Sequence, residues 1–317
     1  MMSYTHFTRE ERESLQSFKK SGLSIREMAR RLDRSPSSIS REFKRNSNKD
    51  KTYNHWRAYS LYKARKRKNN RRKLHPETPA WNYIVEHLNQ FWSPEQVVMR
   101  YERVYGKKPI SVKTLYNYIS RGEFPDIKKA EHLRRRGKRK YSRKTNYNTI
   151  HPDRIIPEWP DEIVSRSRVG DWEGDTVLGA VGKGGIVTLV DRKTRYLVAG
   201  LIPDKSAKST ENTIIHALKG MPINSISLDN GSEFANFRSI EAQLNALIYF
   251  AEPHKPWQRG TNENMNDILR FFFPKGTDFL KVADEQLQAV VDSINHRPRK
   301  CLGWLSPCEV LWGVALD

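Results

Sequence analysis

The chain has 317 residues and a formal net charge of +21, with 57 Lys and Arg against 36 Asp and Glu. Its 37% hydrophobic content supports two or three domains with real cores, but no apolar run approaches the roughly 18–20 residues of a membrane-spanning helix. The start "MMSYTHFTREERESL" has no apolar signal region, and two cysteines, Cys301 and Cys308, without a zinc-spaced Cys/His cluster argue against a disulfide framework and for a reducing cytoplasm.

The charge is one-sided. Residues 1–150 carry 38 Lys and Arg against 14 Asp and Glu, a net of +24, and residues 151–317 carry 19 against 22, a net of −3. That asymmetry predicts an N-terminal half that grips a polyanion and a C-terminal half with another task.

In chain order, residues 1–50 read as a helix-turn-helix unit. "TREE" carries the capping-box spacing from Thr8 to Glu11, and Gly22 stops the helix that follows. A short helix after Ser24 turns Ile25, Met28, Ala29 and Leu32 inward. Ser35 then caps a third helix with Pro36 at its first position. Ile39 and Phe43 face its core, leaving Ser37, Ser38, Arg41 and Lys44 outside on a recognition helix over residues 36–45.

Residues 51–79 read as a basic connector. Tyr53, Trp56, Tyr59 and Tyr62 recur at helical spacing and pack it on a neighbour, while its Lys/Arg run meets phosphates. Residues 80–122 form a second helix-turn-helix-like unit with Ser93 and Ser111 as caps. Two readings stand open for it, a DNA reader using Lys113, Thr114 and Asn117, or a purely structural bundle. Residues 123–160 read as a basic linker.

From residue 161 to 317 the pattern is α/β. "DWEGDTVLGAV" is a strand, "GIVTLVDRKTRYLVAGLI" a hairpin turning at Lys193–Thr194, and helix–strand–helix–strand–helix follow. Three antiparallel strands followed by that alternation predict one mixed sheet with helices on its faces.

The stretch "VGDWEGDTVLG" sets Asp171, Glu173 and Asp175 on one strand face, where like charges repel. Asp229 falls where a strand meets a turn in "SLDNGSEF", and Glu263 near the start of the helix in "GTNENMNDILR". In that helix Met265, Ile268, Leu269 and Phe272 form the core face. Oxygen ligands so arranged suit Mg²⁺ or Mn²⁺, and two such ions would offset the repulsion and serve phosphoryl transfer. Taken one at a time these motifs are weak, since "DNG" alone is ordinarily a turn.

Together, "SISREFKRN", "WSPEQ", "WEGD", "DNGSEF", "PWQRGTNEN", "FFPKGTDF" and the tail "NHRPRKCLGWLSPCEV" resemble the insertion sequence thirty family of bacterial transposases over nearly the whole chain. The resemblance implies a ribonuclease H-like, integrase-type catalytic domain with Asp175, Asp229 and Glu263 as catalytic metal ligands. Asp175 would bridge two Mg²⁺ or Mn²⁺ ions, and Asp229 and Glu263 would each hold one. It further implies hydrolysis at the ends of a transposon and attack of the freed 3′-hydroxyl on target DNA.

Around the triad, Glu173 reads either as a surface or helix-paired carboxylate or as a supporting group or additional ligand, and Asp171 is expected at a solvated strand start, Asp191 in a turn and Glu233 as a cap for the next helix. Lys255, Arg259 and Arg270 are expected to meet phosphates, as are Arg297 and Arg299. The expected partners are double-stranded DNA, as terminal inverted repeats and target, and further copies of the chain in a dimer or larger assembly. The expected place is the bacterial cytoplasm, at the nucleoid, with no membrane. Two rival readings remain: a DNA-binding repressor with an inactive catalytic domain, and a nuclease that cuts without joining.

Overall fold

The computed structural model describes residues 5–69, 74–134, 153–252 and 260–313, without the side chains of 67–69 and 260. The chain divides into two compact units, Met1–His75 and Pro76–Asp317.

The first unit contains α1 (Arg9–Lys20), α2 (Ile25–Arg31), α3 (Pro36–Asn46) and α4 (His55–Asn69). The Thr8–Glu11 capping box forms in both directions, and the side chains of Ser24 and Ser35 cap α2 and α3. Leu15, Met28, Ala29, Ile39, Tyr53 and Ala58 make the core, with Leu32 and Phe43 packed against it. Ile25 is 40% exposed, so α2 turns a narrower face inward than its periodicity predicts. A buried polar cluster joins three segments: Arg12 of α1 donates to Glu42 of α3 at 2.9 Å, and the Tyr53 hydroxyl donates to the same oxygen at 3.0 Å. The segment expected to connect domains thus contributes α4 to this unit. Trp56 stays largely exposed, with the Arg9 guanidinium 3.9 Å from its ring centre.

The second unit opens with α5 (Pro79–Asn89), α6 (Pro94–Tyr105), α7 (Val112–Ser120) and α8 (Lys129–His132). After α9 (Asp161–Ser165) come strands β1 (Asp171–Leu178), β2 (Gly185–Asp191) and β3 (Leu197–Ile202), then α10 (Ala207–Ala217), β4 (Ser225–Leu228), α11 (Phe237–Leu244), β5 (Leu247–Phe250), α12 (Gly260–Phe272), α13 (Asp284–Asn295) and α14 (Pro307–Trp312). The sheet order is β3-β2-β1-β4-β5, antiparallel through β3, β2 and β1 and parallel from β1 to β4 to β5. This is the mixed α/β sheet expected of a ribonuclease H-like domain.

Strand alternation gives the sheet two different faces. Trp172, Val187, Leu189, Ile226, Leu228, Ile248 and Phe250 pack under α10 and α11. Val177, Ile186, Val190, Leu197 and Ala199 pack under α12 and α13, against Met265, Ile268, Leu269, Leu287 and Val291. Asp171, Glu173 and Asp175 have the parity of this second face.

Both described ends of segment 123–160 are folded. Phe124 is buried against Trp81 with ring centres 4.3 Å apart, and Ile155 bridges to Phe250 of the edge strand. α6 is fastened to the C-terminal segment: Arg100 forms a buried ion pair with Glu309 at 2.7 Å, and Gln96, which completes the Ser93 capping box, also donates to the Pro298 carbonyl at 2.8 Å. Among the described residues no helix is long and apolar enough to cross a membrane.

The two cysteines differ sharply. Cys301 is exposed, whereas burial, helped by Asp292 and Glu309, pushes the Cys308 thiol up to about 11. Only the thiolate reacts, so iodoacetamide at pH 8 should label Cys301 well before Cys308. Equal labelling rates by mass spectrometry would contradict this packing.

Candidate active site

The spacing puzzle of β1 resolves residue by residue. Asp171 is not at a solvated strand start but 1% exposed; Arg168 and the Ser225 hydroxyl donate to it, the latter at 2.7 Å. Glu173 is fully buried. One of its oxygens accepts from Arg192 and the other from the Asn262 backbone N–H in the first turn of α12, at 3.4 Å. Arg192 is itself held by the Ile163 carbonyl and stacks over Trp159, 4.0 Å from the ring centre. Burial pushes its guanidinium below the ordinary value, and the Glu173 charge opposes that shift. Asp175 is half-buried. It accepts from the Asn266 side chain at 2.7 Å and from the Thr176 backbone N–H at 2.9 Å. Each of the three carboxylates therefore has its own charge or dipole partner, which answers the repulsion without a shared counter-ion.

The parallel pairing of β1 and β4 brings the second acid in. Asp171 pairs with Ser225, Trp172 with Ile226 and Glu173 with Ser227, an offset of 54 residues throughout. Carried two residues past the last observed pair, the same offset would bring Asp229 level with Asp175. Between them the backbone comes close: a Cβ at Gly174 would lie 2.5 Å from a methyl carbon of Leu228. Glycine in "WEGD" is thus required by the Leu228 side chain crossing over β1 on the opposite face. Half-buried Asp229 accepts from the Gly231 N–H at 3.1 Å, an Asx turn that aims the carboxylate at the end of the strand.

Glu263 lies exposed in the first turn of α12. Asn266 follows it by three residues, on the same helix face, and touches Asp175, so Glu263 stands one turn from the Asp pair. The donors of this constellation are all oxygen, in a partly open position at a strand end. That chemistry fits a hard divalent cation such as Mg²⁺ or Mn²⁺ and not a thiolate or imidazole metal. Among the described residues no three His, Cys, Asp or Glu side chains lie close enough to hold an ion as they stand.

The other expected residues fall in several places. Ser37, Arg41 and Lys44 are exposed on α3, while the Ser38 hydroxyl turns to Ser35 at 2.8 Å. Lys113 and Asn117 are exposed on α7, and the Thr114 hydroxyl turns to Ser111 at 2.8 Å. Arg270 donates to the Leu178 carbonyl at 2.6 Å, at the end of β1. Asp267 pairs with Arg134 at 3.2 Å. Arg297 is 7% exposed against Phe272, off the surface a DNA backbone can reach, and burial followed by the Arg299 charge pushes its guanidinium down to about 9. Asp191 accepts from the Lys193 and Thr194 N–H groups, as a turn residue does. Lys255 and Arg259 lie outside the described residues.

Sequence reasoning missed Arg192, Asn266 and Thr176. Arg192 and Asn266 are paired with the carboxylate face across 19 and 91 residues of chain, and their motifs carry no spacing signal.

Residues 3–46 match a family described as a helix-turn-helix domain. The chain is 35% identical to the transposase for insertion sequence element IS1086 of Cupriavidus metallidurans, over 97% of this chain and 94% of that protein. It is 33% identical to the transposase for IS4351 of Bacteroides fragilis, over 96% and 94%. It is 34% identical to the transposase InsI for IS30A of Escherichia coli, over 98% and 85%.

Proposed function

Because this chain belongs to the insertion sequence thirty family of bacterial transposases, we propose that it binds the terminal inverted repeats of its element and cuts and joins strands at Asp175, Asp229 and Glu263. The observation that supports this reading is the β1–β4 register, whose constant offset runs toward Asp175 and Asp229, with Asn266 tying the helix of Glu263 to Asp175.

Two Mg²⁺ or Mn²⁺ ions held by these three carboxylates would stabilise the charge on the attacking and leaving oxygens of a phosphodiester. The chain's own contribution is positioning. β1 carries Asp175 and the turn after β4 carries Asp229, Asn266 and the Thr176 N–H orient Asp175, and Glu173 with Arg192 anchors the first turn of α12. Water at the transposon end, and then the freed 3′-hydroxyl, attack phosphorus directly, so no side chain needs to act as nucleophile. Arg270 and the segment carrying Lys255 and Arg259 meet the DNA backbone, and exposed Ser37, Arg41 and Lys44 of α3 read the repeat, assisted by Lys113 and Asn117 of α7.

Two ends must be cut in concert, so the active form is a dimer or larger assembly on double-stranded DNA, working at the nucleoid in the bacterial cytoplasm. Incubation with Mg²⁺, labelled terminal-repeat DNA and a target plasmid tests this. Joined product is the expected result. Cutting without joining would make the protein a nuclease, and binding alone a repressor.

A further inference from the structure

Glu233 was expected to cap a helix, yet its side chain goes elsewhere. It is 4% exposed; one oxygen accepts from the Thr176 hydroxyl at 2.9 Å and the other lies 3.1 Å from the Lys205 ammonium. Thr176 is the residue after Asp175, and its backbone N–H donates to the Asp175 carboxylate. Glu233 also passes over the turn that carries Asp229. A Cβ on Gly231 would lie 2.5 Å from a Glu233 oxygen and 3.0 Å from an Asp229 oxygen, and the Gly231 N–H donates to Asp229. Thr176 has the opposite strand parity to Asp175. Glu233 therefore holds the site from the back of the sheet, through one chain of contacts from Asp175 by way of Thr176, Glu233 and Gly231 to Asp229.

We propose that Glu233 is a positioning residue that fixes the separation of Asp175 and Asp229 by clamping Thr176 to the Gly231 turn, with Lys205 neutralising its charge. β4 ends at Leu228, so no strand pairing holds the Asp229 turn to β1. The clamp supplies a link between them from the back of the sheet. It also accounts for glycine at position 231, where any side chain would displace the Glu233 carboxylate. Lys205 keeps this buried carboxylate paired, away from competition with the Asp pair for a cation. This inference rests on the reading of Asp175 and Asp229 as cation ligands.

The test is Mn²⁺ binding to the metal-free full-length protein by calorimetry, beside end cleavage, for wild type, Thr176→Val, Thr176→Ser, Glu233→Gln, the double variant T176V/E233Q and Asp229→Asn. Thr176→Val is close to isosteric at a half-buried position, so it keeps the test alive if Glu233→Gln fails to fold; melting and terminal-repeat binding confirm folding. Thr176→Val should weaken Mn²⁺ binding by roughly 10–100-fold, the usual effect of losing a group that orients a ligand. Thr176→Ser should restore it, and the double variant should be no worse than the more damaging single one. Mn²⁺ binding weakened in Asp229→Asn but unchanged in Thr176→Val would overturn the clamp alone, as would additive losses in the double variant. Binding unchanged in both Asp229→Asn and Thr176→Val would overturn the ligand reading, and the clamp with it.

Discussion

Replacing Asp229 or Asp175 with Asn should lower transposon-end cleavage and strand joining by roughly 10²–10³-fold or more, the scale of losing one preorganised electrostatic contact in an active site. The amide is nearly isosteric. At position 229 its oxygen still accepts from the Gly231 N–H, whereas at position 175 the bonds from Thr176 and Asn266 fall on different oxygens, so the amide oxygen keeps only one of them. Asp229→Asn therefore keeps this turn bond while one negative charge is lost, and is the cleaner of the two variants. Binding of terminal-repeat DNA should be unchanged, because the principal reading residues, Ser37, Arg41 and Lys44 of α3, lie in the Met1–His75 unit. Gel-shift and cleavage assays on the same preparations separate the two effects. An Asp229→Asn protein that cuts at the wild-type rate would remove Asp229 from the site.

Arg192→Met, just past the end of β2, should be strongly destabilising. It leaves Glu173 fully buried with only a long hydrogen bond from the Asn262 N–H. Breaking a buried pair by removing one partner costs about 3–5 kcal/mol. In a unit of this size that is a fall in Tm of roughly 6–20 °C. The guanidinium also covers Trp159 and donates to the Ile163 carbonyl, so part of the loss is packing around α9. Replacing both partners, as in E173L/R192M, should recover much of the stability, since two apolar groups leave no stranded charge. It should not recover end cleavage, because the anchor on the first turn of α12 is gone. Thermal unfolding of the two variants decides this. A single Arg192→Met change that leaves Tm unmoved would mean that the Glu173 charge is compensated in another way.

The order of elements was readable because periodicity and caps are local. Thr8 with Glu11, Ser35 with Pro36, and Ser93 with Pro94 each declare a helix within four residues, and β2 reads as a short apolar run of the kind a strand buried on both faces gives. The positions of Asp175, Asp229 and Glu263 at a strand, a strand end and a helix start were equally readable. What surrounds them was not, because those contacts close over long stretches of chain: Thr176 to Glu233 across 57 residues, Asp175 to Asn266 across 91, and Gln96 to Pro298 across 202. Asp171 illustrates the error that results. Its neighbours in sequence look like a solvated strand start, and only the parallel partner Ser225 and the turn carrying Arg168 make it a buried, paired group. Ile25 errs the other way, since a helix of seven residues has too short a face to bury every apolar position.

The central claim is that three carboxylates from β1, the end of β4 and α12 hold cations at one point. Fe²⁺ bound in place of Mg²⁺, with ascorbate and peroxide, generates hydroxyl radicals that cut the backbone within a few ångströms of the metal. Mass spectrometry of the fragments should show cuts clustered around residues 175, 229 and 263, suppressed by excess Mg²⁺ and absent in Asp229→Asn. Cuts confined to one of these segments, or gathered elsewhere in the chain, would contradict it.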